Sequence, residues 1–277
     1  MNDEISIIIP TLGRSAQLDA LLRSIARSTH ANYEVVVVDQ NRPRIVDDIL
    51  AKYESLMRLV HLKVDFAGAA RARNIGCASA RGEYLFFPDD DCELRADTLA
   101  GFLECRERTG ADVVFGRCVD RSAADSVGAF SREAGYLSPK RHEHMFIEAT
   151  MFIKKKTFSG FLFDESFGVG TFHGAEEAYD LVLRMLRGNV VMYYSPEITV
   201  YHPQKVVRHS ESSEIRRVFS YRCGFAHLCR KHGLHGKYLS RLLKVIFYIP
   251  YTAAAARGKT RYYCAELLGL LAGRIVR

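Results

Sequence analysis

The first forty residues contain two strand-like runs that leave little freedom in the choice of fold. The segments ISIIIP (5–10) and YEVVVVDQ (33–40) are apolar at almost every position and rich in β-branched residues. A strand with one wet face would alternate apolar and polar side chains, so continuous runs indicate strands covered on both faces of a parallel sheet. The segment between them predicts a helix that begins at Ser15 and presents one aliphatic face, formed by Leu18, Leu21, Leu22 and Ile25.

The alternation of strand and helix continues over the next eighty or so residues. Helical patterns occur at 44–56, 69–80 and 96–109, and strand-like segments at 58–64, 83–88 and 112–119. Repeated β-α-β-α units predict a doubly wound α/β sheet, a fold class that binds ligands at the carboxyl ends of its strands.

The second half of the chain is less regular. Residues 120–145 are polar and predict a long surface loop, whereas 147–158 predict a strand. A loop rich in glycine then enters a helix that runs from about Ala175 to Arg187. Two short strands are predicted around Pro196, because proline interrupts a strand ladder.

Charge is distributed unevenly along the chain. The formal net charge is +7, but the residues from Pro203 onward hold 15 Lys and Arg against 3 Asp and Glu. The pattern is also helical from about Ser212 to the end, which predicts a catalytic-sized domain (1–210) and a basic helical extension (211–277). An acidic body suits a metal, and a basic tail suits an anionic surface.

The cysteines and the N-terminal segment predict a cytoplasmic protein. Seven cysteines without a CxxC pair or zinc-type spacing predict free thiols in a reducing compartment, with no disulfides. The first residues lack the basic and apolar regions of a signal peptide. No stretch reaches the roughly 20 apolar residues of a spanning helix, so any membrane contact is expected to be peripheral.

Three consecutive aspartates follow an aromatic run that should be buried. In FFPDDDC (86–92), Asp89, Asp90 and Asp91 repel one another where a strand of the sheet ends. A divalent cation with oxygen ligands would remove this repulsion. The alternative is an acidic turn exposed to water, because aspartate is common in turns.

Polar residues also end the first two strands, at the same predicted edge. Asp39 ends the second run, and Pro10 stops the first, so that Thr11 and the following backbone can donate hydrogen bonds to a ligand. A third contribution comes from GAARARNIG (68–76), which opens a helix with Arg71, Arg73 and Asn74. Arginine at this position suits a phosphate or a base carbonyl. The alternatives are ordinary polar strand ends and a solvated helix face.

Acidic residues occupy the start of the later helix. Glu177, Asp180 and Arg184 share one face, while Glu176 points about 100° away. Neighbouring carboxylates raise one another's pKa toward values that suit a general base. The alternative is a surface helix in which Asp180 and Arg184 form an ion pair. His202, at the end of a strand, is either a metal ligand or a structural histidine.

Five segments together resemble the family 2 glycosyltransferases. They are SIIIPTLGR, VVVVDQN, GAARARNIG, YLFFPDDDC and GAEEAYDLVLR, in the family's order and approximate spacing over about residues 4–203. The resemblance implies the GT-A fold, a Rossmann-like, mixed, mainly parallel sheet flanked by helices. It also implies transfer of a sugar, with inversion, from a UDP-, GDP- or dTDP-linked donor. The acceptor would be a hydroxyl of a glycan or lipid-linked molecule in polysaccharide or cell-envelope synthesis, and the cofactor Mg²⁺ or Mn²⁺.

The resemblance also implies roles for individual residues. The nucleotide-sugar site would contain Pro10, Thr11, Arg14, Asp39, Arg71, Asn74, Asp89 and Asp90. Within it Asp39 would contact the base and Asp89 the ribose, whereas Asp90 occupies a variable position and is expected to matter less. The metal would lie on Asp91 and His202.

The chain departs from the family pattern at two places. The family's helix motif has Glu-Asp shortly before Asp-Leu and Arg, whereas this chain reads EEAYDL at 176–181. We favour Glu177 as the general base, with Glu176 second, and Asp180 completes the predicted catalytic set. The family's DDGS is DQNR here, so the predicted base contact rests on Asp39 alone.

Residues 237–277 interleave Arg and Lys with aliphatic and aromatic residues. Basic amphipathic segments of this kind are typical of anionic membrane interfaces. A helical cap on the catalytic domain and a dimer interface are the alternatives.

Other functions fit the sequence less well. Nucleic-acid binding would require basic and aromatic repeats or a helix-turn-helix, and the sequence has neither. A nucleotidyltransferase with a similar sheet would need a basic, glycine-rich first loop, and PTLGRSAQ is poor in both. A non-catalytic nucleotide-binding protein is the remaining alternative.

Overall fold

The computed structural model describes residues 4–276, which form two compact units. The first unit contains the residues up to Ala67, Arg71–Phe163 and Leu181–Lys205, and the second contains Gly68–Ala70, Asp164–Asp180 and the residues from Val206 onward. The second unit therefore takes in residues from the middle of the chain as well as the C-terminal helices. The division at residue 210 stays a prediction.

The first unit is built on a mixed sheet. Its strands are β1 (Ile5–Thr11), β2 (Tyr33–Asp39), β3 (Arg58–Lys63), β4 (Tyr84–Phe86), β5 (Glu93–Leu94), β6 (Val113–Val119), β7 (Gly135–Tyr136), β8 (Phe152–Lys154) and β9 (Met192–Tyr201). Their order is β3-β2-β1-β4-β8-β6-β9-β5, with β7 paired to β9. Neighbours from β3 to β4 are parallel, whereas β8 is antiparallel to β4 and β6. The predicted α/β class with a mixed sheet is confirmed.

Within residues 4–276, six α-helices come before β9 in the sequence. They are α1 (Ser15–Ile25), α2 (Asp47–Ala51), α3 (Ala69–Ser79), α4 (Thr98–Thr109), α5 (Lys155–Ser159) and α6 (Glu177–Arg187). The helix predicted at 44–56 is therefore shorter than expected. Helix α3 packs closely on β1, because a Cβ atom on Gly76 would lie 2.4 Å from Cγ2 of Ile8. Stacked rings of Tyr84, Phe152 and Phe102 extend the core.

The register of the parallel strands sets the position of the polar strand ends. Thr11 lies opposite Asp39 where β1 pairs with β2. Ile7 lies opposite Phe86 where β1 pairs with β4, so the aspartates that follow β4 run alongside the end of β1. Since β1, β2 and β4 are parallel, their carboxyl ends meet at one edge, as the sequence predicts.

Two predictions for the second half of the sheet are wrong in detail. Residues 147–158 are not one strand, since Glu148–Thr150 is a 3₁₀ turn and only β8 is extended before α5 begins. Strand β8 is short because β4 offers it only three residues to pair with. The predicted loop at 120–145 contains β7, which pairs with β9.

The two short strands predicted around Pro196 are a single strand, β9. Proline lacks an N–H group, and the pairing of β9 with β6 shifts register between Phe115 and Arg117, opposite this part of β9. The Pro196 carbonyl oxygen accepts a hydrogen bond of 2.9 Å from Nε of Arg117. Gly116 lies at the register shift, where a Cβ atom would be 2.4 Å from the carbonyl oxygen of Ile198. The irregularity therefore keeps the strand continuous.

The C-terminal part of the second unit consists of α7 (Ser212–His232), α8 (His235–Ala255) and α9 (Arg257–Ile275), which confirms the helical prediction. Helices α7 and α9 cross closely, because a Cβ atom on Gly273 would lie 2.2 Å from the carbonyl oxygen of Cys223. Glu266 is completely buried and pairs with Arg222 at 2.7 Å. Within residues 4–276, no helix combines the length and apolarity that crossing a bilayer requires.

The close approach at Gly116 predicts a difference between two glycine variants that face the same residue. Gly116→Ala should lower the free energy of unfolding by about 1–3 kcal/mol, because the methyl group meets backbone atoms of β9. Gly101→Ala should raise it by about 0.5–1 kcal/mol, because Gly101 is inside α4 and alanine is the better helix former. Its Cβ atom would lie 3.8 Å from Ile198, an ordinary contact. Urea unfolding of both variants tests this, and equal shifts would contradict it.

Candidate active site

Asp90 connects the end of β1 to the turn after β4. Its carboxylate accepts hydrogen bonds from the Thr11 hydroxyl (2.8 Å) and from Arg14 (2.9 Å). Burial raises the pKa of Asp90, while Arg14 and Thr11 act in the opposite direction. The middle aspartate, which the family pattern marks as variable, therefore has a structural role that the sequence did not indicate.

Asp89 forms an ion pair with Arg73, a residue for which the sequence predicted no specific role. Nη2 of Arg73 lies 2.7 Å from Oδ1 of Asp89, and the Arg73 side chain is only 2% exposed. The interpretation of Arg73 as part of a solvated helix face is therefore wrong. A usable signal was present, because Arg73 follows Ala70 and precedes Gly76 by one helical turn each, on the buried small-residue side of α3.

Asp91 lies between Arg14 and His202. Oδ2 of Asp91 is 2.6 Å from Nη1 of Arg14, and Oδ1 is 3.3 Å from Nε2 of His202. The Nδ1–H group of His202 donates to the carbonyl oxygen of Pro203 (2.8 Å). In the neutral ring, Nε2 then presents a lone pair to a carboxylate, which is favourable only when a proton or another cation lies between them.

These residues fit a divalent metal. Asp89, Asp91 and His202 each offer a ligand atom, and the three atoms lie within 4.8 Å of one another. Oδ1 of Asp91 is buried, and its contact of 3.3 Å with Nε2 of His202 is long for a hydrogen bond. Carboxylate oxygens with one imidazole nitrogen are a donor set that Mn²⁺ and Mg²⁺ sites use. The grouping brings together the sequence-predicted ligands Asp91 and His202 with Asp89.

Asp39 is completely buried beneath the ends of β1 and β2. Its Oδ1 atom accepts hydrogen bonds from the backbone N–H (2.9 Å) and side-chain amide (2.8 Å) of Asn41. Its Oδ2 atom lies 3.0 Å from Nε2 of His61. Asn41 in turn accepts a hydrogen bond from the backbone of Gly13 (2.6 Å). Asp39 therefore orders the two loops that follow these strands.

An open cavity of about 370 Å³ lies beside these loops. Its lining comprises Leu12, Gln40, Asn41, Arg42, Pro43, Asp65, Phe66 and Ala67. The guanidinium of Arg71 stacks 4.0 Å from the centre of the Phe66 ring. Asp39 is not in the lining, but its carboxylate holds Asn41, which is. A flat aromatic wall with amide groups suits a planar heterocycle. Asn41 belongs to the motif VVVVDQN but was not assigned a role from the sequence, and neither was Phe66.

Pro10 and Asn74 have contacts of other kinds. Pro10 lies inside β1, opposite Val38 of β2. Asn74 holds a backbone segment, since its amide nitrogen donates to the carbonyl oxygen of Phe163 (2.9 Å) and its oxygen accepts from the N–H of Phe163 (3.0 Å). The predicted nucleotide contacts of both residues stay predictions.

The predicted catalytic carboxylates lie in the second unit. Glu177, the first residue of α6, is 5% exposed. A Cβ atom on Gly168, which has a φ of +100°, would lie 3.0 Å from Oε1 of Glu177. Glu176 has a φ of +79°, a left-handed conformation that non-glycine residues rarely adopt. Asp180 is completely buried and contacts Lys231 and His232, so the surface-helix interpretation is wrong for this residue.

Comparison with known proteins identifies a family. The sequence model of the protein family described as "Glycosyl transferase family 2" matches residues 6–175 of this chain. Among curated proteins, poly(ribitol-phosphate) beta-N-acetylglucosaminyltransferase TarP of Staphylococcus aureus is 26% identical over 118 residues, which are 41% of this chain and 36% of TarP. The chain spans less than half the length of the first curated relatives it matches.

Two solved structures share the fold along almost the whole chain. S. aureus TarS 1–349 in complex with UDP has a TM-score of 0.63 and 14% identity, and the match covers 98% of this chain and 90% of TarS. The mannosyltransferase PcManGT of Pyrobaculum calidifontis, in complex with GDP-Man and Mn²⁺, has a TM-score of 0.67 and 16% identity, over 96% and 86% of the two chains. At these identities the likeness establishes the fold.

The contact between His202 and Asp91 predicts a measurable pKa change. Burial by itself would lower the pKa of His202, but the hydrogen bond and charge of Asp91, with contributions from the Pro203 carbonyl and Asp89, raise the pKa above the ordinary 6.5. In Asp91→Asn the charge is lost and burial remains, so the pKa of His202 should fall. NMR titration of the histidine ring protons without added metal measures this. An unchanged pKa would show that Asp91 does not set the charge of the ring.

Proposed function

The chain belongs to glycosyl transferase family 2, and from this premise we propose that it moves a sugar from a nucleotide-sugar donor to an acceptor hydroxyl, with inversion at the anomeric carbon. One observation carries the proposal: Asp89, Asp91 and His202 converge beside the end of β1, at the strand edge where such sheets bind ligands. Nucleotide-sugar donors carry a diphosphate, whose charge requires cationic partners at this edge.

The donor would bind across the ends of β1, β2 and β4. We propose that its base lies in the cavity beside Phe66, with Asn41 held in place by Asp39, and that Asp89 binds the ribose. Arg71, stacked on Phe66, would contact the base or the phosphates. The proposed donor site is completed by Pro10, Thr11, Arg14, Asn74 and Asp90. Asp90 contributes through the hydrogen bonds that hold the turn after β4. UDP in TarS and GDP-Man in PcManGT support a donor of the UDP or GDP class.

Asp91 and His202, with Asp89 beside them, would hold the divalent metal, Mg²⁺ or Mn²⁺. When bound, the metal would neutralise negative charge on the nucleoside diphosphate as it leaves. Arg14 contacts Asp90 and Asp91 and is about half exposed, so its guanidinium can turn toward the phosphates when another cation takes over the carboxylates. The Mn²⁺ in PcManGT supports this proposal.

Glu177 is the proposed general base, with Glu176 as the second choice. It would take the proton from the acceptor hydroxyl as that oxygen attacks the anomeric carbon from the face opposite the leaving group. The Glu177 side chain is 5% exposed and packs against Gly168, so its carboxylate is held in one place. Asp180, buried one turn later, supports the helix start that holds Glu177. The acceptor is proposed to be a glycan or lipid-linked hydroxyl of the cell envelope, and poly(ribitol-phosphate) in the name of TarP supports a polymer of this kind.

We also propose that α8 attaches the protein to an anionic membrane surface. The surface would be the cytoplasmic face of the membrane. An exposed apolar stripe runs along α8 through Leu239, Leu243, Ile246, Phe247 and Tyr251. The spacing of these residues places them on one side of the helix. Lys244 lies at the edge of the stripe, and Arg257, Lys259 and Arg261 follow at the start of α9. Apolar residues bordered by cations are complementary to lipid headgroups with negative charge.

Transfer itself tests the proposal about the reaction. Purified protein is assayed with UDP-, GDP- and dTDP-sugars and an envelope glycan fraction, with Mn²⁺ or Mg²⁺. We expect one donor class to be used and a chelator to stop transfer. Glu177→Gln should lower kcat at least about 100-fold, because the base is lost while the size of the side chain is kept.

Donor affinity, measured by calorimetry, should stay within twofold in Glu177→Gln, because the donor site lacks this residue. Full activity in the chelator would remove the metal from the reaction. Normal turnover by Glu177→Gln would remove this residue from the role of base.

Vesicle binding tests the proposal about α8. Phe247 is 75% exposed, and Phe247→Ser should weaken co-sedimentation with phosphatidylglycerol vesicles by roughly tenfold or more, since burying one phenylalanine contributes about 1.5–3 kcal/mol. Leu56→Ser is the control, because Leu56 is also well exposed (63%) but lies in the first unit. Equal vesicle binding by Phe247→Ser and wild type, or equal binding to neutral and anionic vesicles, would contradict the proposal. Self-association that depends on Phe247 without lipid would indicate a dimer interface.

A further inference from the structure

One lysine near the C-terminal end of α7 contacts two carboxylates that are far apart in sequence. Nζ of Lys231 lies 2.5 Å from Oδ2 of Asp164 and 2.6 Å from Oδ1 of Asp180. The next residue, His232, places Nε2 2.8 Å from the same oxygen of Asp180. Asp180 is completely buried, and the side chains of Lys231 and Asp164 are each 30% exposed. These contacts all lie within the second unit.

The two carboxylates mark the ends of the segment that holds the candidate base. Asp164 opens it with a turn, since Oδ1 accepts hydrogen bonds from the backbone N–H (2.9 Å) and hydroxyl (2.7 Å) of Ser166. Asp180 closes it in the first turn of α6. Residues three apart in a helix share a face, so the side chain of Asp180 lies one turn below that of Glu177. Lys231 therefore fastens both ends of the segment 164–180 to α7.

The segment leaves Glu177 little freedom to compensate for a shift. The Glu177 carboxylate packs against Gly168, where even a Cβ atom would approach it to 3.0 Å. The backbone N–H of Gly168 donates to the carbonyl oxygen of His173 (2.9 Å), which holds the loop in a closed shape. Nζ of Lys231 also lies 5.3 Å from the centre of the Phe167 ring, beside Gly168. A movement of either end of the segment would therefore move the carboxylate.

The burial of Asp180 makes its ion pair with Lys231 more consequential than a surface pair. Removing one partner of a buried pair leaves the other charge without compensation, and the surrounding structure rearranges to solvate it. In Lys231→Met, Asp180 would keep its contact with His232 but lose the one with Lys231, and Asp164 would lose a close ionic contact. The segment would then stay attached to α7 through His232 and through the hydrogen bond from Gly174 to Ser220, but the contact that joins its two ends would be lost.

We propose that Lys231 is a positioning residue for the general base: it acts by holding Asp164 and Asp180, and through them the placement of Glu177. This inference rests on the proposed role of Glu177. It assigns a part in sugar transfer to a helix that follows the family-matched region, which ends at residue 175. General-base catalysis depends strongly on the distance and angle between base and hydroxyl, so a displacement of about 1 Å is enough to lower the rate greatly.

Steady-state kinetics of the full-length chain tests the inference. Lys231→Met should lower kcat about 10- to 100-fold while the KM for the donor changes less than twofold, because the donor-site residues belong to the first unit. Lys231→Arg keeps the charge and should recover most of kcat. A merely structural lysine would lower the amount of folded protein but not kcat per folded molecule, so folded fractions are measured by circular dichroism. If Lys231→Met does not fold, Lys231→Gln replaces it in the same comparison.

Lys237→Met is the matched control. Lys237 also contacts the first turn of α6, through the hydroxyl of Tyr179 (2.5 Å), and it is an exposed residue near the start of α8. Its kcat should stay within twofold of wild type. A folded Lys231→Met protein with normal kcat, or an equal loss in Lys237→Met, would overturn the inference. An active Glu177→Gln protein would instead overturn the role of the base, so the two failures are distinguishable.

Discussion

The repulsion among three consecutive carboxylates, Asp89–Asp91, is the constraint on which the candidate site depends. Each carboxylate has a cationic neighbour from another part of the chain: Arg73 of α3, Arg14 after β1, or His202 after β9. Opposite charges within about 4–6 Å favour the ionised form and offset the repulsion between like charges. The turn can therefore keep three acids together only when the sheet and α3 are in place.

This dependence links the site to the order of the strands. Strand β4 is only three residues long, and its last residue pairs with β1 four positions before the end of that strand. The residues after β4 therefore continue beside β1 without ladder hydrogen bonds, and the side chains of Thr11 and Asp90 supply the connection instead. A bound cation would replace part of the compensation that Arg14 provides, which leaves the guanidinium for the phosphates of a ligand.

The sequence predicted the parts of this arrangement that depend on local pattern. Continuous apolar runs placed β1 and β2 correctly. Because parallel strands end at the same edge of a sheet, the meeting of their polar ends also followed. The small residues around Arg73 indicate that it lies on the buried side of α3, but its partner could not be assigned, because Asp89 is 16 residues away in the sequence. The bulge opposite Pro196 was missed for a similar reason: a proline ends a strand unless the partner strand shifts register, and the shift depends on Gly116 in β6. Pairings between distant residues, not propensities, decided both cases.

The membership of the two units changes how the C-terminal helices are understood. Residues 164–180, which include the candidate base, belong to the same unit as α7, α8 and α9, whereas the residues of the proposed donor site belong to the other. The loop before α6 packs closely against α7. A Cβ atom on Gly174 would lie 2.1 Å from the hydroxyl of Ser220, and one on Gly224 would lie 2.6 Å from the carbonyl oxygen of Ala175. Backbone contacts this close fix the loop against the helix, and alanine at either glycine would force them apart. The helices that appear in the sequence as a basic extension are therefore the support on which the loop before α6 is folded.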